Sequence, residues 1–212
     1  MVIVLGCHRS GTGCVSQMMT QLGVNMGPGG NESVDDTWED RDFVTLHRKI
    51  FHEFRPNGGY YNEAWQYPKP RLEPKLAFDW ISLARHRHRD STTHWGFKDP
   101  RFLYLLDFGL GALATLGIVP RLVWITRNPE AIAQSLRRRD KIVFETCYSV
   151  AVTQSRQLEA MYERYQAWPF AKLSYEGMVA DPRQAAEELA YLVNVSDARL
   201  VQNAANIVKP RT

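Results

Sequence analysis

The stretch "LGCHRSGTGC", residues 5–14, decides the fold. It follows a short β-branched run over residues 1–5, which stops at Gly6 as a central parallel strand would. A helix is predicted to begin behind it and to cover about residues 15–22. A strand, a glycine-containing loop and a helix in this order place the loop at the carboxyl edge of a parallel sheet, where open α/β folds bind ligands.

The loop has the spacing of a phosphate-binding loop but an unusual composition. Gly6 and Gly11 permit tight turns, so successive N–H groups converge on an anion, and the following helix adds its positive end. In the ATP-binding pattern G-x-x-x-x-G-K-[ST], lysine and a hydroxyl residue stand where this chain has Thr12-Gly13. Arg9 instead offers a forked guanidinium inside the loop. The loop favours an anion held without an obligatory metal, although a connecting turn without a ligand is also compatible with its glycines.

Composition predicts one soluble globular domain over residues 1–212. Hydrophobic residues make up 44% and charged residues 23% of the chain, and the net charge of +3 is too small to indicate nucleic-acid binding. Three cysteines without metal spacing indicate a reducing compartment, so we expect a cytoplasmic protein. We expect neither a transmembrane segment, because no apolar run reaches roughly eighteen residues, nor a signal peptide, because no charged region precedes the first strand.

The remaining chain alternates helices with strands. Helices are predicted over about residues 36–54, 75–89, 102–117 and 143–165, and strands over 94–98, 121–127 and 170–175. Asn128-Pro129 is a helix start with an N-cap and a first-turn proline, residues 55–74 form a loop, and one or two helices close the chain. The sequence therefore predicts an α/β fold, a P-loop-like three-layer α/β/α sandwich with a central, mostly parallel sheet.

Two segments together resemble the sulfotransferases that use 3′-phosphoadenosine 5′-phosphosulfate (PAPS). "HRSGTG" is similar to their 5′-phosphosulfate loop in its Golgi-type and bacterial form. "RLVWITRNPEAIAQSL" is similar to their 3′-phosphate segment, in which a serine follows a strand-end arginine after eight residues, as Ser135 follows Arg127. Either residue alone would pass as an ordinary surface or helix-face residue. The resemblance implies PAPS as cofactor and adenosine 3′,5′-bisphosphate as product. It implies cofactor binding by His8, Arg9, Ser10, Gly11, Thr12, Gly13, Arg127 and Ser135.

Three shorter segments agree with the family in the expected order. "FKDPR" resembles the Lys-Asp-Pro stretch of tyrosylprotein sulfotransferases, which implies that Lys98 stabilises the departing phosphate. "LSYEGMVADP" resembles a late family stretch whose tyrosine lies near the nucleotide, here Tyr175. "IVKP" resembles a C-terminal stretch that implies a cofactor contact by Lys209. The matches span nearly the whole chain.

The resemblance implies in-line sulfuryl transfer to a hydroxyl or amine, with Arg9 and Lys98 stabilising the charge on the bridging oxygen. "WEDRDFVTLH" resembles an acidic stretch of bacterial members, which favours Glu39 as the general base. On the predicted helix Asp36 lies one turn before it. Glu32, Asp36 or a histidine remain alternatives, and a charged helix start is also typical of a solvated surface.

Other segments leave their role open. "RHRHR" at residues 85–89 is an exposed helix end or a surface for an acidic acceptor, and one arginine of "RRR" at 137–139 is a candidate for the 3′-phosphate. Aromatic residues of the 60–67 loop form an acceptor wall or simply pack the loop. The acceptor class stays open between carbohydrate, lipid, phenol, small metabolite and protein tyrosine. Two rival functions are a small-molecule kinase using ATP and magnesium, and a non-catalytic nucleotide-binding module.

Overall fold

The computed structural model describes residues 1–30, 38–54, 73–92 and 94–208. Within them, four strands form one sheet in the order β2-β1-β3-β4, and every neighbouring pair is parallel. The strands are β1 (Val2–Gly6), β2 (Gly96–Lys98), β3 (Arg121–Thr126) and β4 (Phe170–Ser174). In the register, Val4 lies opposite Lys98 on one side and Val123 on the other. Parallel strands end at a common edge, so the residues that follow them come together there.

Helices cover both faces of this sheet. They are α1 (Thr12–Gln21), α2 (Arg41–Phe54), α3 (Pro74–Asp90), α4 (Leu106–Thr115), α5 (Pro129–Asp140), α6 (Phe144–Arg164), α7 (Tyr175–Ala180), α8 (Pro182–Leu192) and α9 (Ala198–Ala205). A 3₁₀ helix over Pro100–Tyr104 follows β2 directly.

Alternation along the strands divides the core into two halves. Ile3 and Leu5 of β1 belong to the half that contains buried residues of α2 to α6, whereas Val2 and Val4 belong to the half with α1, α7, α8 and α9. Strand β3 repeats the pattern with Trp124 on the first side and Val123 on the second. Because the central strands are buried on both faces, they read as continuous apolar runs. The predicted three-layer α/β/α architecture is confirmed.

Three predictions about the helices were wrong. Helix α2 begins at Arg41 and not at residue 36, because the carboxylate of Asp40 caps it by accepting hydrogen bonds from the N–H groups of Asp42 and Phe43 at 2.9 and 3.2 Å. The predicted helix over 102–117 is divided into the 3₁₀ helix and α4, with Leu105 between them. In the described chain up to residue 208, three helices, α7 to α9, follow β4 where one or two were predicted.

The predicted helix start at Asn128 is confirmed. Its side-chain oxygen accepts hydrogen bonds from the N–H groups of Glu130 and Ala131 at 2.8 and 3.3 Å. This cap fixes the direction in which α5 leaves the carboxyl end of β3. The predicted loop over 55–74 lies outside the described residues except for Glu73 and Pro74.

Candidate active site

The loop between β1 and α1 is held in a strained but well-supported conformation. The Ser10 N–H and hydroxyl both donate to the Cys7 carbonyl, at 3.1 and 2.8 Å. Arg9 has φ of 66° and Gly11 has φ of 104°, and a left-handed conformation at a non-glycine residue persists only where the surroundings enforce it. A β-carbon on Gly11 would lie 2.7 Å from the Tyr175 ring. The glycine is therefore required both for the turn and for contact with the segment after β4.

Four candidate cofactor residues from distant segments meet at this loop. The Arg9 Nε donates to the Ser135 hydroxyl at 2.9 Å, and the Arg127 guanidinium donates to the Arg9 carbonyl at 2.9 Å. The Arg127 guanidinium carbon also lies 4.1 Å from the centre of the Tyr175 ring, in a cation–π contact. The segments that follow β1, β3 and β4 thus place Arg9, Arg127 and Tyr175 next to one another. Ser135 comes to the same place from the first two turns of α5.

The candidate base lies beside the candidate catalytic lysine. The Lys98 ammonium donates to Glu39 Oε1 at 3.1 Å, and Arg101 donates to Glu39 Oε2 at 3.2 Å. The side chains of Lys98 and Glu39 are 4% and 11% exposed. Burial lowers the pKa of Lys98 below its ordinary value, and the Glu39 carboxylate opposes that shift. Glu39 is on no helix in the structure, because α2 begins two residues later, so the expected helical face with Asp36 is wrong.

His8 is a neutral member of the loop. Its pKa lies well below the ordinary value, first because the ring is buried and second because Arg101 is close. A neutral imidazole can donate one hydrogen bond but adds no charge to an anion site. The positive potential of the site therefore comes from the arginines and Lys98.

Residues from both groups line one cavity of about 560 Å³. Its wall contains most of the residues singled out in the sequence, namely His8, Arg9, Gly11, Thr12, Gly13, Glu39, Lys98, Arg127 and Tyr175. Ser10 is buried and serves the loop's own hydrogen bonds, and Ser135 takes part through Arg9. Lys209, Glu32 and Asp36 lie outside the described residues, as does the aromatic loop over 60–67.

The cavity wall also includes residues that the sequence analysis did not assign. These are Cys14, Gln17, Trp38, Pro100, Ile207 and Val208. Arg139 is the one member of the "RRR" triplet on the wall, and its place one helical turn after Ser135 was a usable signal. Arg101 was quoted within "FKDPR" without a role, and the structure connects it to Glu39 and Asp99. Trp38 and Gln17 stand at no recognisable spacing from the other residues of the site, so nothing in the sequence was a reason to select them.

The described residues contain neither a cluster of metal ligands nor a membrane-spanning helix. Among the side chains of residues 1–30, 38–51, 73–92 and 94–208, no group of three histidine, cysteine or acidic residues is arranged to hold a metal ion. None of the helices described in the structure is both long and apolar enough to cross a bilayer.

Comparison with known proteins gives a consistent result. The sequence model of the sulfotransferase family matches residues 2–198. The structure resembles the sulfotransferase domain of the olefin synthase of Synechococcus PCC 7002, with a TM-score of 0.57 and 15% identity over 99% of this chain and 80% of that one. It also resembles sulfotransferase STF1 of Mycobacterium tuberculosis H37Rv, with a TM-score of 0.52 and 14% identity over 97% of this chain and 70% of that one. No curated protein matches significantly. At these identities the structural likeness shows the shared fold.

Proposed function

The chain belongs to the sulfotransferase family, and we propose that it transfers a sulfuryl group from PAPS to a hydroxyl or amine of an acceptor. PAPS supplies a sulfuryl group activated by an anhydride bond to the 5′-phosphate. The residues of this chain bind that donor, position the acceptor and take up the acceptor's proton.

The charge of the cavity is the observation that carries the proposal. Among the residues that the structure describes, four cationic side chains line it, Arg9, Lys98, Arg127 and Arg139, against one carboxylate, Glu39. Such an excess, partly shielded from water, suits a ligand with several phosphate and sulfate groups. The volume of about 560 Å³ lies within the range of roughly 300–1,000 Å³ that is common for ligand and cofactor sites. The residues present therefore fit the donor.

The two ends of the donor have separate candidate sites. The loop of Arg9 to Gly13 and the first turn of α1 would hold the 5′-phosphosulfate through N–H groups and the guanidinium. Arg127 and Ser135 would hold the 3′-phosphate, with Arg139 one turn further along α5. Tyr175 would lie against the nucleotide, and the resemblance to the family adds Lys209.

Glu39 is the proposed general base. Its carboxylate is oriented by Lys98 and Arg101 at 3.1 and 3.2 Å, on the wall of the same cavity. A positioned base typically contributes about 10²–10⁴-fold to a rate. Lys98 and Arg9 would stabilise the negative charge that develops on the bridging oxygen, since their cationic groups lie in a partly buried site where such charge is weakly screened.

Thermal melting with adenosine 3′,5′-bisphosphate and with ATP–magnesium tests the donor assignment, because a ligand specific for the folded state raises the melting temperature. We expect a bisphosphate shift in the wild type that disappears in Arg127→Ala. Arg199→Ala is the matched control, since this arginine is 81% exposed on α9 and should leave the shift intact. A shift with ATP–magnesium alone would overturn the proposal in favour of the kinase.

The transfer itself is tested by incubating the wild type with PAPS and a panel of hydroxyl and amine acceptors. We expect adenosine 3′,5′-bisphosphate and a sulfated acceptor to form together. Tight bisphosphate binding without any turnover of PAPS would instead support the non-catalytic nucleotide-binding module.

A further inference from the structure

A chain of polar side chains crosses the aromatic core behind the cavity and has no part in the mechanism above. His47 of α2 lies between Trp80 of α3 and Asp99 at the end of β2, and the His47 and Asp99 side chains are both 0% exposed. The Trp80 indole N–H meets His47 Nε2 at 3.0 Å, and His47 Nδ1 meets Asp99 Oδ2 at 2.8 Å. The surroundings are otherwise apolar, with Phe97 and Phe102 packed against the imidazole.

The direction of each hydrogen bond in this row of side chains follows from which groups can donate and which can accept. An indole N–H can only donate, so His47 Nε2 must accept. The proton of the neutral imidazole is therefore on Nδ1, from which it is donated to Asp99. Burial raises the pKa of Asp99, but Arg101 and the hydrogen bond from His47 outweigh it and hold the pKa well below its ordinary value. Asp99 is thus an acceptor-only carboxylate with a fixed donor on one oxygen.

The other oxygen of Asp99 leads to the candidate base. Asp99 Oδ1 accepts from the Arg101 guanidinium nitrogen Nη1 at 2.6 Å and from the Arg101 backbone N–H at 3.0 Å. The same Nη1 donates to Glu39 Oε2 at 3.2 Å. One guanidinium nitrogen therefore bridges the two carboxylates, and the position of Arg101 on Glu39 depends on how Asp99 is held.

We propose that His47, acting through Asp99 and Arg101, is a positioning residue that sets the orientation of the Glu39 carboxylate in the cavity; this rests on the proposed sulfotransferase function. A polar ring in an aromatic core is costly unless it is hydrogen-bonded. His47 makes two directed bonds there, and the second fixes the carboxylate that anchors Arg101. Glu39 precedes α2 in a non-helical segment, so it depends on these side-chain contacts for its orientation.

A double-mutant cycle on stability tests the connection without any assay of activity. His47→Phe keeps the ring packing and removes both hydrogen bonds, and Glu39→Gln removes the charge at the other end. We expect the loss of melting temperature in the double variant to be smaller than the sum of the two single losses. The reason is that Arg101 is held less tightly once residue 39 is uncharged, so it can donate more strongly to Asp99 and replace part of the missing His47 bond. Unconnected sites give additive losses, and additivity would overturn the proposal.

A second cycle tests positioning of the base in the transfer reaction. The readout is release of adenosine 3′,5′-bisphosphate from PAPS, with phenol and water as acceptor probes. We expect His47→Phe to lower kcat by up to about 10²-fold, the loss that a small misplacement of a catalytic group can cause, while KM for PAPS stays unchanged. In the Glu39→Gln background the same substitution should cause no further loss. His47→Gln, whose amide can donate to Asp99 and accept from Trp80, should restore most of kcat.

Two further variants keep the test decisive. Trp80→Phe removes the far hydrogen bond together with part of the buried indole's packing, and leaves the His47–Asp99 bond in place. It is the substitute if His47→Phe does not fold, and it should lower kcat less, in the same direction. His88→Gln is the control, because His88 also accepts from an indole, that of Trp95 at 3.4 Å, but it lies on the exposed end of α3.

The outcomes separate this proposal from the proposed function. A kcat loss that persists in the Glu39→Gln background would make His47 a purely structural residue. A wild type that binds bisphosphate but releases none from PAPS with phenol, water or any member of the acceptor panel would overturn the sulfotransferase function. The positioning role would then also be wrong, even if the stability cycle is non-additive. The hydrogen-bonded side chains from Trp80 to Glu39 would in that case be a structural network that orients no catalytic base.

Discussion

Gly11→Ala is the substitution whose consequence the structure specifies most closely. Gly11 has φ of 104°, and an added β-carbon would lie 2.7 Å from Cδ2 of Tyr175. A left-handed conformation costs an L-residue about 1–2 kcal/mol and overpacking about 1–3 kcal/mol, so the free energy of unfolding should fall by roughly 2–5 kcal/mol. For a domain of this size, that corresponds to a melting temperature lower by about 4–20 °C.

Gly111→Ala is the matched control for this substitution. Gly111 lies inside α4, is exposed, and has no atom within 4 Å of the added β-carbon, so alanine should stabilise the chain by roughly 0.5–1 kcal/mol. Thermal melting of both variants is the assay, with and without adenosine 3′,5′-bisphosphate. Because Tyr175 would move from beneath Arg127, the bisphosphate shift should also shrink in Gly11→Ala. A Gly11→Ala protein that melts within about 2 °C of the wild type would refute the reasoning.

Three other predictions concern Glu39, Asp40 and the cysteines. Glu39→Gln should lower PAPS turnover by about 10²–10⁴-fold and leave bisphosphate affinity intact; equal turnover would remove Glu39 as the base. Burial raises the pKa of Asp40 to about 6, against the opposing charge of Arg87. The folded chain then binds the Asp40 proton more tightly than the unfolded chain does, so the protonated carboxyl stabilises the fold at low pH. This contribution to the free energy of unfolding is lost as pH rises through about 6. The melting temperature of the wild type minus that of Asp40→Asn should therefore fall between about pH 4 and pH 6, and a constant difference would contradict this. Cys14 lines the cavity and is half-buried, so iodoacetamide should modify it first and bisphosphate should protect it. Burial raises the pKa of Cys7 to about 11, so that thiol should react slowest; preferential labelling of Cys7, as mapped by mass spectrometry, would contradict the assignment.

The fold was predictable where the determining residues are adjacent in sequence. The apolar run before Gly6, the turn at Gly11 and the cap at Asn128 are local features, and each is where the sequence indicated. Arg127 and Ser135 are separated by a strand end and two helical turns, so local spacing places them close to each other. Their contacts with Arg9 follow from the parallel pairing of β1 and β3, which brings the two strand ends to one edge of the sheet.

The errors arose where a side chain competes with the helix pattern. The apolar repeat of α2 suggested a helix that begins at about residue 36, but Asp40 is the residue whose carboxylate caps α2. The apolar run after Pro100 suggested one helix, but Asp99 caps a 3₁₀ turn that ends before α4 begins. In both cases a hydrogen bond from a backbone N–H to a carboxylate decided the boundary, and the spacing of apolar residues carries no information about such a bond.

The contacts around the candidate base could not be derived from spacing. Glu39 and Lys98 are 59 residues apart, and only the packing of the segment before α2 against the end of β2 brings them together. Resemblance to the family suggested both residues, but not that they are paired. His47 and Trp80 gave no sequence signal at all, because a histidine on an apolar helix face is usually read as core. Their role depends on a tertiary hydrogen bond to Asp99.

Recognition of the 3′-phosphate is the central claim, and isothermal titration with adenosine 3′,5′-bisphosphate and with adenosine 5′-monophosphate tests it most directly. A charge-assisted hydrogen bond contributes about 1.5–3 kcal/mol, so the wild type should bind the bisphosphate roughly 10–150-fold more tightly. Arg127→Ala should reduce that preference to near unity. Equal affinity of the wild type for the two nucleotides would contradict the assignment of Arg127 and Ser135, and with it PAPS as the donor.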